Sequence, residues 1–159
     1  MGELSCFCTE FRIFWFRFKG YDLTYTTIIE GTVILDGNKE GKKKFYNQPS
    51  IAKGDAKPDI ILKEGETYQV IADAKYKAKT KDSDRYQVIS HALSYNAKVA
   101  ILILPKSDGY AGEALVKLGD VGSEYQINVY EYYFNLSSNN LAEEEKKLAE
   151  VLLSLYPAD

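Results

Sequence analysis

The residue types best suited to chemistry lie in two short segments, Pro58-Asp59 and Asp73-Ala74-Lys75. Asp73 and Lys75 interrupt the apolar run Val70-Ile71-Ala72, and strand alternation puts both on the face that carries Ile71. Lys63-Glu64-Gly65-Glu66-Thr67 reads as a tight reversal between two strands. In a hairpin centred on Gly65, opposed residues sum to about 130, which sets Asp59 across from Ile71 and diagonal to Asp73. A slip of the turn by one residue at each arm sets Asp59 directly across from Asp73. In either register Asp59, Asp73 and Lys75 share one face.

Two carboxylates and an ammonium group converging at a sheet suit hydrolysis of a phosphodiester. The carboxylates can hold one or two magnesium ions, with manganese as a substitute. Such ions bind a phosphodiester oxygen, lower the pKa of the attacking water and neutralise developing charge. Lys75 beside that water can orient it and stabilise transition-state charge, and can accept its proton if burial lowers the lysine pKa. An exposed, salt-bridged strand face is the competing reading. The apolar setting, with Asp59 on the same face, favours chemistry. One histidine, His91, and two cysteines, Cys6 and Cys8, are too few for a zinc site, so a metal would rest on carboxylates.

Lys75, Lys77, Lys79 and Lys81 recur at every second position, and line one edge if the strand runs on. With Lys42, Lys43 and Lys44 they make a track for phosphates; beyond Lys77 a solvated loop is the equal alternative. His91, one turn beyond Gln87, can reach the same cleft, although a lone helix histidine is more often a satisfied surface or core residue.

The elements that must position these residues follow from periodicity. Leu4, Phe7, Phe11, Phe14, Trp15 and Phe18 form the stripe of an amphipathic helix over residues 3–19, with Glu10 close to it and Gly20 as its stop. A strand with Phe11, Ile13 and Trp15 on one face is the weaker alternative. Residues 23–35 follow as a β-branched run, Asp36-Gly37-Asn38 as a turn, and 48–57 as a loop. Strands are expected over 58–62 and 68–77, then a helix over 84–96 with Asp84 as its candidate cap. A buried strand over 99–104, a weakly patterned Gly-rich stretch over 106–122, a strand over 125–134 and a closing amphipathic helix complete the order. Tyr130, Tyr132 and Tyr133 either cover a sheet face or make a dimer contact. The order predicts an α/β fold, a mixed sheet with helices on both faces.

The 159 residues suit a single domain spanning 1–159. The run from Phe11 to Phe18 is broken by Arg12 and Arg17, far short of the roughly 20 apolar residues of a membrane span. It lacks the features of a signal peptide, so a cytoplasmic location is expected. A net charge of −3 and a pI near 5.3 argue weakly against nucleic acid, but lysines cluster at 39–44 and 75–81, and local distribution governs binding.

Pro58-Asp59-Ile60-Ile61-Leu62, Ala72-Asp73-Ala74-Lys75-Tyr76-Lys77 and Asp84-Arg85-Tyr86-Gln87 together resemble the PD-(D/E)xK nuclease superfamily. The text looks most like the nuclease domain of McrBC-type modification-dependent restriction systems. The resemblance implies a restriction-endonuclease-like αβββαβ core and a Mg²⁺-dependent DNA endonuclease of the restriction, defence or DNA-processing type. It implies Asp59, Asp73 and the backbone carbonyl of Ala74 as metal ligands, with Lys75 as the charge-stabilising group. In that family the position of Gln87 helps place the water or the lysine, while Asp84-x-x-Gln87 also reads as a capping box. An acidic residue of the first helix often joins the site; Glu10 is the candidate and Glu30, on the first strand, the reserve. Lys77, Lys79, Lys81, Lys43 and Lys44 are the candidate DNA contacts. The implied partners are DNA, a second copy of the chain, and an accessory or motor subunit, although the chain lacks the additional N-terminal region of the longer McrBC-type proteins. A structure-selective nuclease of the Holliday-junction type and a non-catalytic DNA-binding subunit are the alternative functions.

Overall fold

The computed structural model describes residues 32–39, 41–46 and 51–156. The expected first helix with Glu10, and the part of the first strand that carries Glu30, lie outside the described residues. In chain order the described elements are β1 (Thr32–Leu35), β2 (Lys43–Lys44), β3 (Asp55–Ala56), β4 (Ile60–Glu64), β5 (Thr67–Ala74), α1 (Asp82–Tyr95), β6 (Val99–Pro105), β7 (Leu115–Val121), β8 (Ile127–Phe134) and α2 (Leu141–Ser154).

Six strands form one mixed sheet in the order β1-β4-β5-β6-β8-β7, and β2 pairs with β3 as a separate ribbon. The central strand β6 runs parallel to both β5 and β8 and is buried along its whole length. That burial is why its sequence is continuously apolar and not alternating. On one face Leu62, Val70, Ile101, Ile103 and Phe134 pack with Leu148 and Leu152 of α2. On the other, Ile61, Ile71, Leu102 and Val129 pack with Val88, Ala92 and Tyr95 of α1. The α/β architecture with helices on both faces therefore holds. No described helix is long and apolar enough to cross a membrane.

Four local expectations are corrected. Strand β5 ends at Ala74 and not at Lys77, and the Lys75 N–H makes its last sheet bond, to the Ile103 carbonyl at 2.8 Å. Residues 75–81 then form a connection, so Lys77, Lys79 and Lys81 do not line a continuing strand edge. Helix α1 begins at Asp82 with Lys81 as its N-cap residue; Asp84 sits in the first turn and accepts the Lys81 N–H at 3.0 Å. The weakly patterned stretch 106–122 contains β7, an edge strand bonded to β8 alone. Its exposed Lys117, Leu118, Asp120 and Val121 and a register shift at Lys117/Gly119 erase the alternation that would mark it.

The β4–β5 hairpin fixes the geometry of the candidate site. A two-residue turn at Gly65, with φ +51, pairs Glu64 with Thr67 and Lys63 with Tyr68. The register then shifts, and Leu62 pairs with Val70, Ile61 with Ile71 and Ile60 with Ala72. Gln69 is left without a partner, a β-bulge. Continuing the shifted register sets Asp59 directly across from Asp73. The directly opposed arrangement is the one formed, and a bulge produces it instead of a slipped turn.

Candidate active site

Asp73 is buried, 2% exposed, near the end of β5. Its Oδ1 accepts the backbone N–H of Asp59 at 3.2 Å, and its Oδ2 lies 2.9 Å from Nδ1 of His91 on α1. Asp59 precedes β4; its Oδ2 accepts the Ala74 N–H at 2.9 Å and its Oδ1 the side-chain amide of Asn38 at 3.2 Å. Both carboxylates are thus held by donors from separate parts of the chain. Burial pushes the Asp59 carboxyl above its ordinary pKa, and the neighbouring Asp73 charge adds to the rise. The Ala74 N–H, the Asn38 amide and the Lys75 ammonium oppose it.

Lys75 follows directly after β5 and reaches across to α1, where its Nζ donates to Gln87 Oε1 at 2.8 Å. Because α1 starts at Asp82, Gln87 lies beyond the capping positions and the capping-box reading of Asp84-x-x-Gln87 does not apply. The structure brings Asp59, Asp73, Ala74, Lys75 and Gln87 together. His91, 7% exposed, also reaches this cleft, as one of its two sequence readings had it, and faces Asp73; Asn38 is an addition.

Asn38 comes from the turn after β1, where Asp36 Oδ1 accepts the Asn38 N–H at 2.9 Å. Gly37 packs so tightly there that a Cβ would stand 2.1 Å from the Pro58 carbonyl oxygen. The absence of a side chain lets this turn approach Asp59. Nothing local in the sequence signals a contact 21 residues away.

A second polar cluster backs the connection 75–81. Glu131 of β8, 4% exposed, accepts from Thr80 Oγ1 at 2.8 Å, from Arg85 Nη2 at 3.2 Å and from the Tyr133 hydroxyl at 2.8 Å. Leu102 of β6 pairs with Asp73 on one side and Glu131 on the other, so both acids lie in one row across the sheet. Sequence reading missed Glu131, although it interrupts an apolar alternation as Asp73 does. Tyr132 is core, whereas Tyr133 stacks on Tyr110 with ring centroids 4.4 Å apart. Each therefore has an intrachain role.

The remaining candidate lysines are dispersed. Lys43 Nζ lies 4.1 Å from the Tyr68 ring centroid, and burial, then Lys63, lowers its pKa. Lys44 pairs with Asp55 at 3.0 Å. Lys77, Lys79 and Lys81 are exposed.

The donor chemistry at Asp59 and Asp73 fits a hard divalent cation. Magnesium keeps several waters and takes one or two protein carboxylates, which two aspartates supply. Each carboxylate oxygen has two lone pairs and accepts one protein bond here, leaving capacity for a cation. Burial, and to a smaller extent the Asp73 charge, disfavours the ionised Asp59 carboxylate, a cost that a cation relieves. Among the described residues no group of three or more His, Cys, Asp or Glu side chains is arranged to hold a metal.

No protein-family model matches the chain, and no curated protein matches it significantly. Among solved structures, it is similar to a chain in the half-complex of a tetradecameric assembly of Thermococcus gammatolerans McrB AAA+ hexamers with bound McrC. The identity is 17% and the TM-score 0.44, over 72% of this chain and 30% of that one. The chain thus spans under a third of the length of the structure it matches.

Proposed function

We propose that this chain is a metal-dependent DNA endonuclease of the PD-(D/E)xK type, close to McrBC-type restriction nuclease domains. The observation that carries the reading is the opposed pair Asp59 and Asp73 at one end of a hairpin, with Lys75 directly following and tethered to Gln87. Asp59 and Asp73, joined by the Ala74 carbonyl that the sequence resemblance adds, would hold magnesium. When bound, the ion would offset phosphate charge and acidify a water.

The chain's own groups do the rest. The Asp59 N–H and His91 hold the Asp73 carboxylate in one orientation, so it need not be ordered when substrate arrives. The Ala74 N–H and Asn38 do the same for Asp59. Gln87 orients the Lys75 ammonium toward α1, as a donor for the negative charge that grows on a phosphodiester. Glu131, through Thr80 and Arg85, fixes the connection that leaves Lys75.

The test is cleavage of plasmid, branched and single-stranded DNA by the purified chain with Mg²⁺ or Mn²⁺, alongside Asp73→Ala and Lys75→Ala. Metal-dependent cleavage reduced by roughly 100-fold or more in both variants is expected. Unchanged cleavage in both overturns the assignment, and binding without cleavage in the parent chain moves it to a non-catalytic subunit.

A further inference from the structure

The β2–β3 ribbon stands apart from the main sheet and is rooted beside the candidate site. Lys43 pairs with Ala56 and Lys44 with Asp55, and the Phe45 N–H extends the pairing to the Gly54 carbonyl at 2.9 Å. At its base the Tyr95 hydroxyl lies within hydrogen-bond reach of the carbonyls of Gly41 and Ala56, and Lys43 lies against Tyr68. From that base the chain passes through Lys57 and Pro58 straight to Asp59.

The outer part of the ribbon exposes what a soluble surface usually avoids. Phe45 is 38% exposed, Tyr46 is 47% exposed and Ile51 is fully exposed; the two rings touch each other, with centroids 5.4 Å apart. Around them are exposed Lys42, Lys44, Lys53 and Lys57, with Asp55 the one acid among residues 41–46 and 51–57. Lys44 and Lys57 share Asp55, whereas Lys42 and Lys53 make no ion pair among the described residues. This concentration of positive charge stands in a chain whose net charge is −3.

We propose that this ribbon is a duplex-DNA-binding arm. Its lysines contact phosphates while Phe45, Tyr46 and Ile51 enter the groove. The inference rests on the nuclease reading and adds the surface, outside the carboxylate site, that holds the duplex. The major groove, about 12 Å wide, admits a two-stranded ribbon, and apolar side chains there meet base edges and thymine methyl groups. A second copy of this chain is a poor occupant, because its own lysines would meet like charge. Continuity with Asp59 places the bound duplex next to the carboxylate pair.

The experiment is fluorescence anisotropy with a short labelled duplex and the matching single strand, using the full chain in EDTA so that binding is read without cleavage. Two double variants are compared, Lys42→Ala/Lys53→Ala and Phe45→Ala/Ile51→Ala; all four ribbon changes are at exposed positions. The lysine pair is expected to lower duplex affinity roughly 30-fold at 0.1 M salt and to reduce the slope of log K against log salt by about two. The apolar pair lowers duplex affinity about tenfold with the slope unchanged, because it removes groove contacts and no charge. Duplex binding by the parent chain in EDTA, together with no cleavage in Mg²⁺ or Mn²⁺, refutes the nuclease reading alone. Parental affinity and slope in both double variants overturn the arm. So does tighter binding of the single strand, loss of self-association without loss of DNA affinity, or a matching loss on anionic vesicles with duplex binding intact.

Discussion

The backbone N–H of Asp59 donates to Oδ1 of Asp73 at 3.2 Å, joining two carboxylates 14 residues apart at one end of a hairpin. With Gln69 in the chain, this pairing requires that residue to be looped out of the ladder. At the turn Lys63 pairs with Tyr68; a regular ladder from there would set Asp73 across from Pro58. The unpaired Gln69 shifts the register by one residue, and a one-residue change moves every later side chain to the other face.

Deletion of Gln69 is therefore expected to be tolerated, because Lys63 with Tyr68 and Leu62 with Val70 remain pairable without the bulge. Inserting one alanine after Ile71 instead displaces Asp73 from Asp59. Titration with Mn²⁺ followed by electron paramagnetic resonance checks this, with affinity within about threefold for the deletion and binding lost for the insertion.

His91 Nδ1 lies 2.9 Å from Oδ2 of Asp73, one of the two proposed metal ligands. His91→Leu removes that partner and is expected to weaken Mn²⁺ binding by roughly 10–100-fold. His91→Asn, which offers an amide donor near the same position, restores most of the affinity. Equal binding by all three proteins in the same titration would remove His91 from the site.

Arg85 and Glu131 form an ion pair of unequal exposure, with the guanidinium side chain 36% exposed and the carboxylate 6%. Replacing Arg85 by Leu strands a buried carboxylate with only neutral donors, Thr80 and Tyr133, and is expected to cost about 2–3 kcal/mol in urea unfolding after allowance for solvent screening. Glu131→Gln, which removes the charge together with its desolvation penalty, is expected to cost about 1 kcal/mol less than that.

Burial pushes the hydroxyls of Tyr95 and Tyr132 up to about 12, with smaller contributions from Tyr68 and Asp55 at Tyr95 and from Glu144 at Tyr132. In the unfolded chain a tyrosine loses its proton near pH 10. The stabilisation is complete below that value and is lost as pH rises toward the folded pKa, at about 1.4 kcal/mol per pH unit for each residue. Urea unfolding across this window should become steeply less favourable to the fold, and Tyr132→Phe should remove about one proton from the slope.

What could be read locally was read correctly where burial is uniform or alternates cleanly. Val99 to Leu104 is apolar without a break because both faces of β6 are covered, and Asp73 stands out against that kind of background. The same rule applied to β8 would have exposed Glu131. Edge strand β7 was illegible because its exposed residues and register shift leave no alternation to detect. Gln87 was ambiguous because a polar residue near a helix start serves a cap or a site equally well, and only the start of α1 at Asp82 decides.

The sequence by itself determined which residues carry charge inside apolar strands, which of them share a face, and the α/β class, because alternation and apolar periodicity are properties of neighbouring residues. The tertiary structure decided that Asp59 opposes Asp73, that His91 and Asn38 hold them, and that Lys43 lies against an aromatic ring while Lys42 and Lys53 extend from a separate ribbon. Those outcomes depend on one bulge, on the placement of α1 against the sheet and on a glycine close approach. Each is fixed by the summed packing of distant segments, and no short stretch of sequence contains it.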